Sequence, residues 1–151
     1  MKKLKPLIVS IGLPLLLGAI SAFISNMDTY SEINKPFLSP PGIVFPIVWT
    51  ILYILMGVSY GILKDKGLVD EEVSKIYYLQ LIVNALWPIA FFVLKWRFFA
   101  LLWIILLGYL VLKMIVEFYK KDKLAGVLQI PYFIWIVFAT YLNFFVYLLN
   151  R

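Results

Sequence analysis

Residues 43–63 read Ile-Val-Phe-Pro-Ile-Val-Trp-Thr-Ile-Leu-Tyr-Ile-Leu-Met-Gly-Val-Ser-Tyr-Gly-Ile-Leu, an apolar run without one charged side chain. A helix needs about 20 such residues to cross a bilayer. Inside hydrocarbon every backbone N–H and C=O must be bonded within the protein, which a helix does for itself. Similar stretches recur along the chain at about 6–25, 76–94, 98–118 and 124–149. Lys113 and Glu117 fall in the last turns of the fourth stretch, and Pro131 lies inside the fifth. The sequence therefore predicts an all-α integral membrane bundle of five transmembrane helices. It forms a single domain over residues 1–151, with a Pro-rich lid loop at 27–42.

Composition agrees. The chain is 64% hydrophobic, against about 45–50% apolar in soluble domains. It has no Cys, which excludes disulfides, thiolate nucleophiles and Cys-held metal sites. It also has no His, which removes the commonest general base and the usual haem axial ligand. The acids Asp28, Glu32, Asp65, Asp70, Glu71, Glu72 and Asp122 sit in predicted connections, and Glu117 near a helix end. No carboxylate is expected at mid-membrane, where proton-coupled transporters and cation channels usually carry one. We expect no catalytic residue, metal or resident cofactor, and a binding protein rather than an enzyme.

The net charge of +6 comes from basic residues that flank the apolar runs, so it reads as topology rather than a nucleic-acid patch. Lys2, Lys3, Lys5, Lys64, Lys66, Lys75, Lys113, Lys120, Lys121 and Lys123 gather on the N-terminal side of the predicted bundle. Lys35, Lys95, Arg97 and Arg151 fall on the other. Positive-inside asymmetry predicts an internal N-terminus. The first apolar run, although preceded by lysines, is longer than the roughly 7–15 residues of a signal-peptide core and reads as a span.

The polar and aromatic residues inside the spans are the places to look for function. Asn84, Trp87, Pro88 and Phe91 recur at i, i+3, i+4 and i+7, one helical face. Trp49 and Tyr53 lie at i, i+4, and Trp135, Ala139 and Asn143 at i, i+4, i+8. Converging, these stripes would form an apolar cavity with few polar groups, the usual form of a small-molecule site. The alternative is helix packing, with Asn84 tying two helices together. Gly57 and Gly61 form a GxxxG motif, which serves either a helix dimer face or close packing within one bundle.

Three stretches together resemble the tryptophan-rich sensory protein family, also called the translocator protein or peripheral-type benzodiazepine receptor family. They are Lys35-Pro36-Phe-Leu-Ser-Pro40-Pro41-Gly42 leading to Trp49 and Tyr53, Asn84-Ala-Leu-Trp87-Pro88-Ile-Ala-Phe91-Phe92, and Pro131-Tyr132-Phe-Ile-Trp135 running to Ala139 and Asn143. Nearly the whole chain is covered, with the motifs in order. The resemblance implies a five-helix bundle, a homodimer, and a pocket lidded by the first loop for porphyrins or other flat apolar ligands. Trp49, Asn84, Trp87, Phe91, Trp135, Ala139 and Asn143 would line it, Tyr53 sharing the Trp49 face, and Tyr30 would approach from the lid. Leu38 stands where the family usually carries Trp, and Pro46-Ile47 where Gly then Pro is usual. Without His or Cys, preference for the metal-free porphyrin is expected. Porphyrin breakdown driven by light or oxygen, and facilitated tetrapyrrole or lipid transport, are the alternatives. A bacterial cell membrane is the expected location.

Overall fold

The computed structural model describes residues 44–150 together with helical positions 12, 14–16 and 19. Most of the first predicted span, the loop 27–42 and Tyr30 lie outside the described residues. Helix α1 covers Val44–Asp65, α2 Glu71–Pro88, α3 Arg97–Lys121, α4 Lys123–Val127 and α5 Ile130–Leu149. The chain is all-helical throughout this region. Among the described residues, Ile47–Asp65, Arg97–Lys121 and Lys123–Leu149 are long and apolar enough to cross a membrane.

Local chemistry explains the boundaries. Pro46 falls in the first turn of α1, where an intrahelical N–H is not required. Helix α2 begins at Glu71, five residues before the apolar run that marks it in sequence. Asp70 caps it, its carboxylate accepting from the Val73 N–H at 2.9 Å, and Glu71 and Glu72 complement the positive end of the helix dipole. Apolar patterning reports depth in lipid, whereas the cap reports where the helix starts.

Pro88 offers no N–H to the turn before it, and the helix answers by widening into a π-helical turn over Ile89–Val93. The Leu94 N–H then bonds the Ile89 carbonyl at 2.9 Å, and the Trp96 N–H bonds Ala90 at 3.0 Å. Lys95 ends this element in the left-handed region, φ 57°, where Gly or Asn is the usual occupant. The fifth apolar run, expected unbroken over 124–149, divides into α4 and α5 because Pro131 sits in the first turn of α5.

Among the described helices, α3 packs closely on α2, α4 and α5. At Gly108 the α3 backbone passes close to α5: a Cβ there would lie 3.4 Å from Ile136 Cγ2, an ordinary van der Waals distance. Gly126 is tighter, since a Cβ would stand 2.6 Å from Tyr119 Cβ and 2.7 Å from its Cα. In contrast, α1 reaches α2 and α5 through long side chains rather than close backbone approach. Tyr60 stacks on Tyr77 at 4.1 Å, with Phe118 beside both. Gly57 and Gly61 are buried within the single chain, so the GxxxG face packs inside the bundle and is not open to a second copy.

The outward face of α3 is apolar and exposed at Leu102, Ile105, Tyr109, Leu112 and Val116. So much exposed apolar surface suits hydrocarbon and not water. At one end of the bundle two ion pairs join the connections. Lys66 pairs with Asp122, and Lys121 pairs with Asp70 at 2.7 Å. Each lysine, donating a hydrogen bond, holds its carboxyl partner below the usual carboxylate range. Lys95, in the α2–α3 connection, and Arg97, the first residue of α3, lie at the other end, beside Tyr147 and Asn150.

Candidate ligand-binding site

The expected aromatic stripes meet in two groups. In the first, Trp49 stacks on Tyr53 at 5.7 Å and meets Trp135 edge to face at 6.3 Å, joining α1 to α5. Tyr132, one turn before Trp135, presents its ring edge to Trp49 at 6.3 Å. Trp49 and Trp135 are half-buried, while Tyr53 and Tyr132 are buried. Ring quadrupoles favour such offset and edge-to-face arrangements over face-to-face sandwiches.

Below these rings runs a buried hydrogen-bond chain. Tyr53 Oη donates to Asn84 Oδ1 at 2.6 Å, and Asn84 Nδ2 donates to Tyr132 Oη at 2.6 Å. Tyr132 Oη in turn donates to Gln80 Oε1 at 2.7 Å, and Gln80 Nε2 donates to the Tyr77 carbonyl at 2.8 Å. Asn84 therefore ties α1, α2 and α5 together through both ends of its amide. A carboxamide can accept two bonds and donate two, so each end of Asn84 keeps some capacity beyond the tie.

The second group joins α2 to α5 and to the start of α3. Trp87 stacks on Phe91 at 5.1 Å and donates from Nε1 to Asn143 Oδ1 at 3.0 Å. Asn143 Nδ2 donates to the Arg97 carbonyl at 2.8 Å. That carbonyl lies in the first turn of α3, and Asn143 fixes where α3 begins relative to α5. Ala139 is buried on α5 between Trp135 and Asn143, its small side chain leaving the two groups on one face.

Two members of the first group were not among the expected residues. Gln80 precedes Asn84 by one turn and Tyr132 precedes Trp135 by three residues, so helical spacing alone places both on the candidate faces. The signal was present but weak, because a Gln near a helix start and a Tyr after Pro131 read equally well as interfacial residues.

An interior lined by Trp and Tyr rings and bridged by buried carboxamides, within apolar helices, defines a multi-pass membrane protein with an aromatic core. Residues 10–148 match the TspO/MBR family. The chain is 38% identical to the tryptophan-rich protein TspO of Archaeoglobus fulgidus, over 95% of this chain and 96% of that protein. It is 35% identical to the tryptophan-rich sensory protein of Cereibacter sphaeroides, over 88% and 82% of the two chains. It is 31% identical to the translocator protein of Sus scrofa, over 90% and 87%. The chain belongs to the TspO/MBR family, and is an integral membrane protein of that sensory and translocator group.

Proposed function

We propose that this protein is a membrane receptor for porphyrins and similar flat apolar ligands, acting in tetrapyrrole-linked sensing. The observation that carries the reading is the meeting of half-buried Trp49 and Trp135 above Tyr53 and Tyr132. Because α1 approaches α5 through these rings and not through its backbone, parting them admits a flat molecule without breaking a helix. Stacking and burial supply the affinity, and the Tyr53–Asn84–Tyr132–Gln80 chain forms a rigid polar floor. Trp87, Phe91, Ala139 and Asn143 extend the wall. Asn84 and Asn143 orient ligand carbonyls or pyrrole nitrogens with the hydrogen-bonding capacity left by their internal bonds. The metal-free porphyrin is preferred, since no His or Cys is present to ligate iron.

The N-terminus and the end bearing Lys66, Lys121 and Lys123 face the cytoplasm of a bacterial cell. A homodimer assembles through a face other than Gly57–Gly61, which is buried. Titration of protoporphyrin IX into the detergent-solubilised protein in the dark, followed by Trp fluorescence, tests the reading. Saturable quenching that weakens in Trp135→Phe and Asn84→Ala supports it; quenching that never saturates, or ignores both changes, sinks it. The adjacency of Trp49 and Trp135 also favours a second reading, porphyrin breakdown in light or oxygen. Illuminating the same sample tests it, and an unchanged rate in Trp135→Phe removes that residue from the chemistry.

A further inference from the structure

We propose that the cleft at the α2–α3 connection binds the phosphate headgroup of an anionic phospholipid. The cleft has a volume of about 340 Å³ and is lined by Lys95, Trp96, Arg97, Phe98, Phe99, Tyr147 and Asn150. That falls within the roughly 300–1,000 Å³ of small-molecule sites. Its lining contains two cations and no acid. Neither cation forms an ion pair among the described residues, whereas Lys66 and Lys121 at the opposite end are both neutralised by aspartates.

Arg97 is poised for an anion. Its guanidinium sits over the Phe91 ring at 5.7 Å, and its Nε is buried with no acceptor. The planar guanidinium fork matches two phosphate oxygens, which is why Arg outperforms Lys at bidentate sites. Arg97, Phe98 and Phe99 are also the first three residues of α3, whose Trp96 cap supplies no side-chain bond to their N–H groups. The partial positive charge of that helix end adds to the two cations. Lys95 holds a left-handed backbone conformation that Gly would adopt without strain. An ammonium thus stands where the backbone alone would favour Gly.

The surroundings select a lipid over a free anion. Trp96 and Phe99 form an edge-to-face pair at 6.0 Å, and Phe98 meets Tyr147 at 5.3 Å. Trp96 and Phe98 are 56% and 53% exposed, as in the aromatic belts found at headgroup depth. From Phe98 an exposed stripe continues through Leu102, Ile105 and Tyr109, at i+4, i+7 and i+11 on one face of α3. A headgroup held by Lys95 and Arg97 has its acyl chains along that stripe. This site is at the end of the bundle, away from the Trp49–Trp135 group; it adjoins the proposed wall at Phe91 and Asn143 but does not rest on the porphyrin reading.

The test is native mass spectrometry of the full chain with phosphatidylglycerol or phosphatidylcholine, with soluble glycerol 3-phosphate as competitor. Phosphatidylglycerol is retained in preference. Lys95→Gly and Arg97→Gln each reduce that preference about fivefold, the effect of one basic residue near a membrane surface. Lys95→Gly suits the left-handed backbone, so its effect reports the ammonium and not a fold defect; Lys95→Arg restores binding. Lys75→Gln, at the other end, leaves the preference unchanged. The proposal is overturned by an unaltered preference in the Lys95→Gly, Arg97→Gln double variant, or by an equal loss in Lys75→Gln. It is also overturned if glycerol 3-phosphate displaces the lipid at equal concentration, which would mark a free-anion site.

Discussion

Replacing Tyr132 with Phe removes one oxygen from the polar floor and leaves the ring that Trp49 packs against. Tyr132 is fully buried, and its hydroxyl accepts from Asn84 at 2.6 Å and donates to Gln80 at 2.7 Å. Without it, Asn84 Nδ2 and Gln80 Oε1 both lose a partner, while Asn84 keeps Tyr53 and Gln80 keeps the Tyr77 carbonyl. In a water-soluble protein each buried group so orphaned costs about 1–3 kcal/mol. Between membrane helices the measured coupling of a side-chain hydrogen bond averages about 0.6 kcal/mol and reaches about 1.7. The membrane figure governs, because the unfolded reference keeps its spans inserted, where polar groups find other partners. Two bonds then give a loss of about 1–3 kcal/mol, with no cavity contribution since the ring stays. Reversible unfolding in mixed micelles measures it. A double-mutant cycle with Asn84→Leu isolates the bond between them, with a coupling of about 0.5–1.5 kcal/mol expected. Stability within about 0.3 kcal/mol of the parent, together with zero coupling, would refute the argument that this chain of bonds joins α1, α2 and α5.

Gly126→Ala drives a methyl against Tyr119 Cβ, Cα and N at 2.6–2.9 Å and is expected to lower stability by about 1–3 kcal/mol, read as a fall in Tm. Gly108→Ala meets only the Ile136 Cγ2 methyl at 3.4 Å, an ordinary van der Waals distance, and stays within about 0.5 kcal/mol of the parent. Gly61 is buried, so Gly61→Leu should lower the thermal stability of the monomer; a selective loss of dimer at unchanged Tm would contradict its interior placement. Asp70 and Asp122 have carboxyl groups held down by Lys121 and Lys66. Their depressed folded values mean the ion pairs add stability above the unfolded carboxylate pKa of about 3.9 and lose it as pH falls from there through the lower folded values. Unfolding followed from pH 6 to pH 3 should show this decline, and the Asp70→Asn, Asp122→Asn pair should flatten it.

The character of each span was legible in sequence because lipid leaves few options. The charge-free run at 43–63 can satisfy its backbone only as a helix, and α1 at Val44–Asp65 follows it within two residues at each end. Period 3.6 likewise put Trp49 with Tyr53, and Trp87 with Phe91, on shared faces, and both pairs stack. Where polar chemistry at helix ends outweighed apolar patterning, the boundaries moved: Asp70 draws α2 back to Glu71, and Pro131 divides the last run. The resemblance of the three motifs to the tryptophan-rich sensory protein family pointed to the family, which the match over residues 10–148 bears out.

By itself, then, the sequence determined the all-helical membrane character, the approximate extent of the three membrane-length helices among the described residues, the family, and which residues share a helical face. Only the tertiary structure decided that Asn84 bonds both Tyr53 and Tyr132, that Asn143 holds Trp87 and the first turn of α3, and that Gln80 completes the floor. Periodicity specifies a residue's angle around its own helix. A hydrogen bond between helices also depends on the rotation, tilt and depth of the second helix. Those are set by packing over the whole bundle, by contacts such as Gly108 on Ile136 and Gly126 on Tyr119.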